Sequence, residues 1–295
     1  MSVVVPTSLD DALDALAAHP DAHLLAGGTD LMVEVNFGHR RPEHVISIGR
    51  LPELRTWSID LDAGAVRIGA AVTYAELMAS DVAVLVPALA EASRTVGSPQ
   101  IRNAGTLGGN LGTCSPAGDT LPVLAALGAT VELASSSGRR RVPIGEFMVG
   151  PKRNTAAPGE LVCAVEVPVI DGWQGFAKVG TRNAMVIAVC NAALVVDRSL
   201  AILRVAMGSV GPTVLRAEDA EAWLADRVDW DALRLVGDAG DGSGVEGLCR
   251  EFGDRCAAVA LPIDDHRSTA DYRRHAVGVL AGRLARRAFI GERAR

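Results

Sequence analysis

Two glycine-containing segments carry the residue types that could bind an anionic ligand. One is LLAGGTDL at residues 24–31, and the other is AGTLGGNLG at residues 104–112, which SPAGD follows at 115–119. Glycine lets the backbone adopt a positive φ and lets another group approach the main chain closely. Backbone N–H groups exposed in such loops can donate to a phosphate, and threonine and asparagine add side-chain donors. Together the segments predict a site for the diphosphate of a dinucleotide, centred on residues 96–127.

Some of these residues also have an ordinary structural interpretation. Taken alone, the sequence GGTD is typical of a tight turn. Asp119 could accept a hydrogen bond from a ribose or ribityl hydroxyl, or it could cap the helix that Thr120 and Pro122 predict. The residues themselves leave both alternatives open.

Other kinds of site find little support. The sequence contains no GxxxxGK[ST], HExxH or GxSxG motif, and GTLGGNLG does not satisfy GxGxxG. The histidines show no ligand spacing. Even the nearest two cysteines, Cys249 and Cys256, are too far apart for a CxxC pattern. The sequence therefore predicts no metal site.

The whole chain sets further limits. A length of 295 residues allows a sizeable core and predicts two domains, and the net charge of −6 argues against nucleic-acid binding. The N-terminus has no basic region of a signal peptide, and no apolar stretch is long enough to span a bilayer. Scattered cysteines are typical of reduced thiols. We therefore expect a cytoplasmic protein.

Short strands and helices alternate up to about residue 170, which favours an α+β fold. Asp171-Gly172 is the predicted domain boundary. Beyond it, residues 175–179, 186–196 and 202–208 predict three antiparallel strands, and residues 217–224, 230–236, 245–260 and 270–290 predict helices. The expected organisation is one domain over residues 1–170 and a C-terminal domain over 172–295 with a three-stranded antiparallel sheet and helices.

LLAGGTDL and GSPQIRNAGTLGGNLGTCSPAGDTLPVLAAL together closely resemble the FAD-binding subunit of the molybdenum hydroxylases. That family includes the flavin subunits of xanthine dehydrogenase-like, nicotinate dehydrogenase-like and carbon monoxide dehydrogenase-like enzymes. ELVCAVEVP, KVGTRNAMVIA and DDHRSTADYRRH follow in the family's order, so the resemblance covers nearly the full length. It implies a PCMH-type FAD-binding domain of two subdomains, split near residues 55–60, with the flavin held between them and against the C-terminal domain.

The resemblance also implies which residues contact FAD. The segment at 24–31 would wrap the diphosphate from one side and the second segment would approach it from the other, with Asp119 on a sugar or ribityl hydroxyl. Val96 and Val162 would pack against the cofactor, and Ile187 would cover the ring. Lys178, one of only two lysines, matches a lysine that reaches the flavin and would favour the anionic reduced ring, although a strand-end surface lysine is the alternative. The full set is Leu24, Leu25, Ala26, Gly27, Gly28, Thr29, Asp30, Leu31, Val96, Thr106, Gly108, Gly109, Asn110, Asp119, Val162, Lys178 and Ile187.

The implied function is electron transfer. The chain would take electrons from the [2Fe-2S] clusters of a small partner subunit and pass them to an external acceptor, while a large subunit holds the molybdopterin. No residue of this chain would catalyse a step on the organic substrate. Where the family often has an acidic residue, Met185 and Val186 stand. The acceptor therefore stays open among NAD, oxygen, a quinone and a carrier protein. The alternative is a self-sufficient FAD-dependent oxidoreductase with its own small-molecule substrate.

Overall fold

The N-terminal part of the computed structural model, which describes residues 1–240 and 242–291, is a small parallel sheet with a helix packed on it. Ser8 begins this helix because its hydroxyl accepts the Asp11 N–H at 3.1 Å while the Asp11 carboxylate accepts the Ser8 N–H. Leu9, Leu13 and Leu16 share one face and are buried. The elements are β1 (Ser2–Val4), α1 (Leu9–Ala18), β2 (His23–Leu25), α2 (Leu31–Asn36) and β3 (His44–Ser47), with strand order β1-β3-β2.

The middle of the chain folds as a five-stranded antiparallel sheet with short helices beside it. Val66 and Ile68 alternate with more exposed neighbours and enter the core, as expected for strands with one covered face. The strand order is β4-β5-β10-β6-β7. The elements are a 3₁₀ helix (Pro52–Leu54), β4 (Trp57–Asp60), β5 (Ala65–Gly69), α3 (Tyr74–Ala79), α4 (Val82–Leu85), α5 (Pro87–Thr95), α6 (Pro99–Ala104), α7 (Leu107–Thr113), α8 (Thr120–Leu127), β6 (Thr130–Ser135), β7 (Gly138–Pro143), α9 (Ile144–Phe147), β8 (Met148–Gly150), β9 (Arg153–Asn154) and β10 (Leu161–Pro168).

The C-terminal part is an antiparallel sheet between helices. Its central strand is buried along its whole length, because Ala193 and Val195 face the core that contains α8 while Leu194 and Val196 face the two long C-terminal helices. None of the described helices is long and apolar enough to cross a bilayer. The elements are β11 (Gly172–Gly180), β12 (Ala188–Asp197), β13 (Ile202–Gly208), β14 (Leu215–Arg216), α10 (Glu218–Ala225), β15 (Val228–Asp229), β16 (Arg234–Leu235), α11 (Gly244–Val259) and α12 (Ala270–Phe289).

The predicted α+β architecture is confirmed, with two local corrections in the C-terminal part. The sheet has a fourth, two-residue strand, because β14 pairs with the end of β13. The predicted helix at 230–236 is wrong. There, the Asp229 carboxylate accepts the Ala232 N–H and binds Arg234, which closes a turn between β15 and β16.

A third correction concerns the glycine-rich stretch at 96–127. The sequence predicts a loop before the helix at 121–127, but the structure has two further short helices, α6 and α7. The Ser98 hydroxyl accepts the Ile101 N–H at 3.3 Å, and the Thr106 hydroxyl accepts the Gly109 N–H at 2.9 Å. These side-chain caps make each helix begin where it does. Gly105 lies at the junction between the two helices.

Candidate functional site

A cavity of about 670 Å³ lies where the two glycine segments meet the C-terminal sheet. Its volume lies within the roughly 300–1,000 Å³ common for small-molecule sites. All of the sequence-predicted site residues line it except Leu25 and Lys178. Those that do are Leu24, Ala26, Gly27, Gly28, Thr29, Asp30, Leu31, Val96, Thr106, Gly108, Gly109, Asn110, Asp119, Val162 and Ile187.

The first segment presents its backbone to this cavity. The successive N–H groups from Gly27 through Leu31 have no hydrogen-bond partner among the described residues. Gly28 has φ of 71°, which a residue with a side chain adopts only with strain. The chain therefore folds back on itself between β2 and α2, and leaves consecutive donors available to an anion.

Residues 107–110 of the second segment offer no such donors. Because helix α7 is capped by Thr106 and packs against the residues that follow β5, the N–H groups of residues 107–110 all have acceptors within the protein. The prediction that both segments donate through their backbones is therefore wrong for residues 107–110. The bonds run from the N–H groups of Leu107 to the Val72 carbonyl (3.0 Å), Gly108 to the Ala70 carbonyl (2.8 Å), Gly109 to the Thr106 hydroxyl (2.9 Å) and Asn110 to the Thr106 carbonyl (3.0 Å).

The second segment offers side chains instead. The Thr120 hydroxyl donates to Asn110 Oδ1 at 2.5 Å, which fixes the amide and leaves Nδ2 without a partner among the described groups. Asn110 lines the cavity. A donor without a partner at a cavity wall is suited to bind a ligand.

Close packing joins the two segments. A Cβ on Gly27 would lie 1.8 Å from the Ala104 carbonyl oxygen, so only glycine fits where the first segment crosses the end of α6. The Thr113 hydroxyl donates to the Asp30 carboxylate at 3.3 Å. The two sides of the cavity are thus held in one arrangement before any ligand binds.

Asp119 connects the cavity to the C-terminal sheet. Its Oδ2 is 2.5 Å from Lys178 Nζ and accepts from the Thr95 hydroxyl at 3.3 Å, while its Oδ1 accepts from Asn191 Nδ2 at 2.9 Å. Lys178 and Asn191 lie directly opposite each other on β11 and β12. Asp119 makes no side-chain cap bond to α8, so the helix-cap alternative is wrong.

This pair of charges is buried. The Lys178 side chain is 7% exposed, which rules out the alternative of a surface lysine, and its ammonium also donates to the Thr95 carbonyl at 3.1 Å. Burial raises the pKa of the Asp119 carboxyl, and the charge of Lys178 with the hydrogen bonds from Asn191 and Thr95 opposes that rise. Lys178 thus lies behind Asp119 and does not form the cavity wall itself.

The turn between β11 and β12 overhangs the cavity with apolar side chains. Met185 and Ile187 are 54% and 62% exposed, and both line the cavity. The Arg182 guanidinium donates to the carbonyls of Ala184 and Met185 and thereby holds Met185 at φ of 51°. Such exposed apolar surface costs free energy unless something covers it.

The C-terminal segment that resembles the family motif anchors the far end of this turn. Arg273 is almost fully buried and donates to the Val189 carbonyl at 2.8 Å, while Arg267 donates to the Ala188 carbonyl at 3.3 Å. Asp265 binds both arginines, and hydrogen bonds from them and from the Arg267 N–H hold the pKa of its carboxyl well below the ordinary value despite partial burial. This cluster fixes the position at which β12 begins.

A charged group lies at another edge of the cavity. Glu34 binds Lys152 at 2.5 Å and Arg40 at 2.7 Å, and all three residues line the cavity. The hydrogen bond from Lys152 lowers the pKa of the Glu34 carboxyl. Both lysines of the chain therefore contribute to this site, Lys152 at its wall and Lys178 behind Asp119.

Sequence reasoning missed several residues of the cavity. Tyr74, Gly97 and Ile101 line it, and Asn191 supports Asp119 from behind. Asn191 carried a signal, because it is the one amide in the apolar run of β12. Tyr74 lies in the sequence TYAE at 73–76, which fits a capping box and by itself predicts only the start of a short helix.

Comparisons with known proteins agree with the fold. A protein-family model described as the FAD binding domain in molybdopterin dehydrogenase matches residues 1–170. The chain is 32% identical to the glyceraldehyde dehydrogenase medium chain of Sulfolobus acidocaldarius over 283 residues, or 95% of each chain. A solved carbon monoxide dehydrogenase from Hydrogenophaga pseudoflava, which lacks the Mo-pyranopterin moiety of its cofactor, matches with a TM-score of 0.83 and 31% identity over 98% of this chain and 96% of that one. Quinoline 2-oxidoreductase from Pseudomonas putida 86 matches with a TM-score of 0.84 and 27% identity, over 98% and 96%.

Proposed function

Because the chain belongs to the family of FAD-binding domains of molybdopterin dehydrogenases, we propose that it is the electron-transfer subunit of a molybdenum-containing hydroxylase. FAD is its cofactor, and the chain is an oxidoreductase subunit. It takes electrons from the [2Fe-2S] clusters of a small partner subunit and passes them to an external acceptor. A large partner subunit holds the molybdopterin. The complex is cytoplasmic, in keeping with five cysteines that are all free thiols.

The observation that carries this proposal is the combination of donors around the cavity. Consecutive backbone N–H groups at Gly27–Leu31 suit a diphosphate, and the Asn110 amide adds a donor from the opposite side. Val96 and Val162 supply apolar surface in the same cavity, as a flat ring requires. The residues present therefore fit FAD.

When bound, FAD supplies a centre that accepts and returns electrons. The residues of the chain hold and orient it. Asp119 accepts from a hydroxyl of the cofactor, and Ile187 covers the ring from the overhanging turn. Lys178 acts through Asp119, because its ammonium is within hydrogen-bonding distance of that carboxylate and of a backbone carbonyl.

The proposed domains follow the grouping of sheets. Residues 1–170 form the FAD-binding domain, whose two subdomains meet near residues 55–60, around β4. Residues 172–295 form the C-terminal domain. Residues 1–170 contain the parallel sheet and the five-stranded sheet, and residues 172–295 contain the C-terminal sheet. The matched family model ends at residue 170.

The first test concerns the cofactor and this chain alone. We expect the purified protein to be yellow, to release FAD and not FMN on heating, and to rebind FAD after removal. A colourless protein that does not take up FAD would contradict the proposal.

The second test concerns electron transfer and uses the co-expressed complex with and without this chain. Without it, the organic substrate should still bleach the visible absorption of the [2Fe-2S] clusters, but reduction of the external acceptor should be lost. Adding back the FAD-loaded chain should restore it. Substrate oxidation by the isolated chain would instead support the self-sufficient oxidoreductase.

A further inference from the structure

Tyr74 occupies a wall of the cavity beneath the second glycine segment. It is the first residue of α3, which the Thr73–Glu76 capping box begins, and its N–H donates to the Gly105 carbonyl at 3.1 Å. A Cβ on Gly105 would lie 2.8 Å from the tyrosine ring, so the ring packs directly against this glycine. The side chain is only 5% exposed. The surrounding protein therefore holds the tyrosine ring in place, and the residue borders open space only at the cavity.

The Tyr74 hydroxyl has no hydrogen-bond partner within the described part of the chain. The hydroxyl oxygen is nevertheless not fully enclosed by the protein. Its remaining accessible surface therefore faces the cavity that Tyr74 lines. A buried tyrosine ordinarily satisfies its hydroxyl. This one satisfies it only when something occupies the cavity.

The electrostatic surroundings fix what the hydroxyl can do. Burial raises the pKa of Tyr74 far above its ordinary value, and the negative charge of Asp119 raises it further. The phenol is therefore protonated and can donate. Asp119, on the same cavity, carries a carboxylate that is held by Lys178, Asn191 and Thr95 and has lone pairs left to accept.

A phenol donor and a carboxylate acceptor on one cavity match a ligand group that both accepts and donates. An alcohol does both, whereas a phosphate would be repelled by the carboxylate. The donors suited to the diphosphate lie elsewhere, on the backbone at Gly27–Leu31. We propose that Tyr74 is a cofactor-binding residue whose hydroxyl donates to the oxygen of a ribityl hydroxyl group that in turn donates to Asp119. This inference rests on the proposed function, because it takes FAD as the ligand.

The test is the Tyr74→Phe variant, which removes only the hydroxyl. Affinity is measured by titrating the FAD-free protein with FAD and with three FAD analogues, each lacking one ribityl hydroxyl. We expect the variant to bind FAD about 3- to 10-fold more weakly, the value of one hydrogen bond. The variant and the wild type should have equal affinity for the analogue that lacks the contacted hydroxyl. Thermal unfolding of the FAD-free variant should match the wild type, because the hydroxyl has no protein partner to lose.

The matched control is Tyr272→Phe, which changes the only other tyrosine of the chain, 51% exposed on α12. It should leave FAD affinity unchanged. Equal FAD affinity of the Tyr74→Phe variant and wild type, or an equal loss toward all three analogues, would overturn the inference while the proposed function stands. A destabilised FAD-free variant would also overturn it, because the hydroxyl would then have a structural role. A wild-type protein that does not bind FAD would overturn both.

Discussion

Both segments are rich in glycine, but they offer different kinds of hydrogen-bond donor to the cavity. In the first, the N–H groups of the cavity-lining residues Gly27 through Leu31 have no partner among the described residues, and Gly28 turns the chain with a positive φ. In the second, the N–H groups of residues 107–110 have acceptors at the start of α7 and in the residues that follow β5, and the Asn110 side chain lines the cavity. The first segment therefore offers main-chain donors to the cavity, and the second offers a side-chain donor.

This difference shows that glycine has two separate uses at one site. Gly28 is required by its φ of 71°, whereas Gly27 and Gly108 are required by the backbone that lies against them. A Cβ on Gly108 would lie 2.4 Å from the Ala70 Cβ and 2.7 Å from its carbonyl oxygen. In the second segment, Gly108 thus lets α7 approach the backbone that follows β5.

The largest expected effect comes from separating the two segments. In Gly27→Ala, the added Cβ would meet the Ala104 carbonyl, a backbone atom that cannot move away alone. We expect a loss of about 3 kcal/mol or more in the free energy of unfolding and no retention of FAD. Urea unfolding and the flavin absorption of the purified protein measure the two effects.

The control for that variant is Gly145→Ala, since Gly145 lies in α9 and a Cβ there meets nothing within 4 Å. It should unfold like the wild type and retain FAD. If Gly27→Ala behaved like this control, the close contact between the segments would not be what fixes the cavity.

A smaller effect should separate packing from ligand contact within the second segment. The Cβ added in Gly108→Ala would collide with Ala70, just after β5, whereas the one added in Gly109→Ala meets only the Thr106 hydroxyl, at 2.9 Å, and Gly109 lines the cavity. We expect Gly108→Ala to lower the melting temperature of the FAD-free protein by about 5 °C. Gly109→Ala should shift it by less than about 2 °C and should mainly weaken FAD binding. The reverse order would mean that Gly109, and not Gly108, fixes the position of the helix.

Sequence reasoning predicted the cavity lining well because the motif spans whole segments, and neighbouring residues of a loop reach the same space. It did not predict which N–H groups are available, since that depends on whether Thr106 caps a helix and on the carbonyls of Ala70 and Val72, which follow β5 and are distant in sequence. Lys178 is similar. Its isolation in an arginine-rich chain indicated a role, but only the pairing of β11 with β12 brings it beside Asn191 and onto Asp119.

The smallest expected effect compares one side chain from each segment. Asn110→Ala removes the amide that faces the cavity, and we expect FAD affinity to fall about 5- to 20-fold, as for one lost hydrogen bond to a charged or strongly polar group. Thr29→Ala leaves the backbone N–H groups in place and removes a hydroxyl that has no partner among the described residues, so affinity should change less than about twofold. Titration of the FAD-free variants measures both.

This pair of variants decides whether the two segments differ as the ligand-free geometry indicates. Equal losses of FAD affinity in the two variants would mean that the Thr29 hydroxyl also binds the cofactor. The first segment would then not act through its main chain alone. If both variants kept the FAD affinity of the wild type, the Asn110 amide would face the cavity without contacting the ligand. Only a loss confined to Asn110→Ala supports main-chain binding on one side and side-chain binding on the other, because the backbone donors of the first segment survive every side-chain truncation.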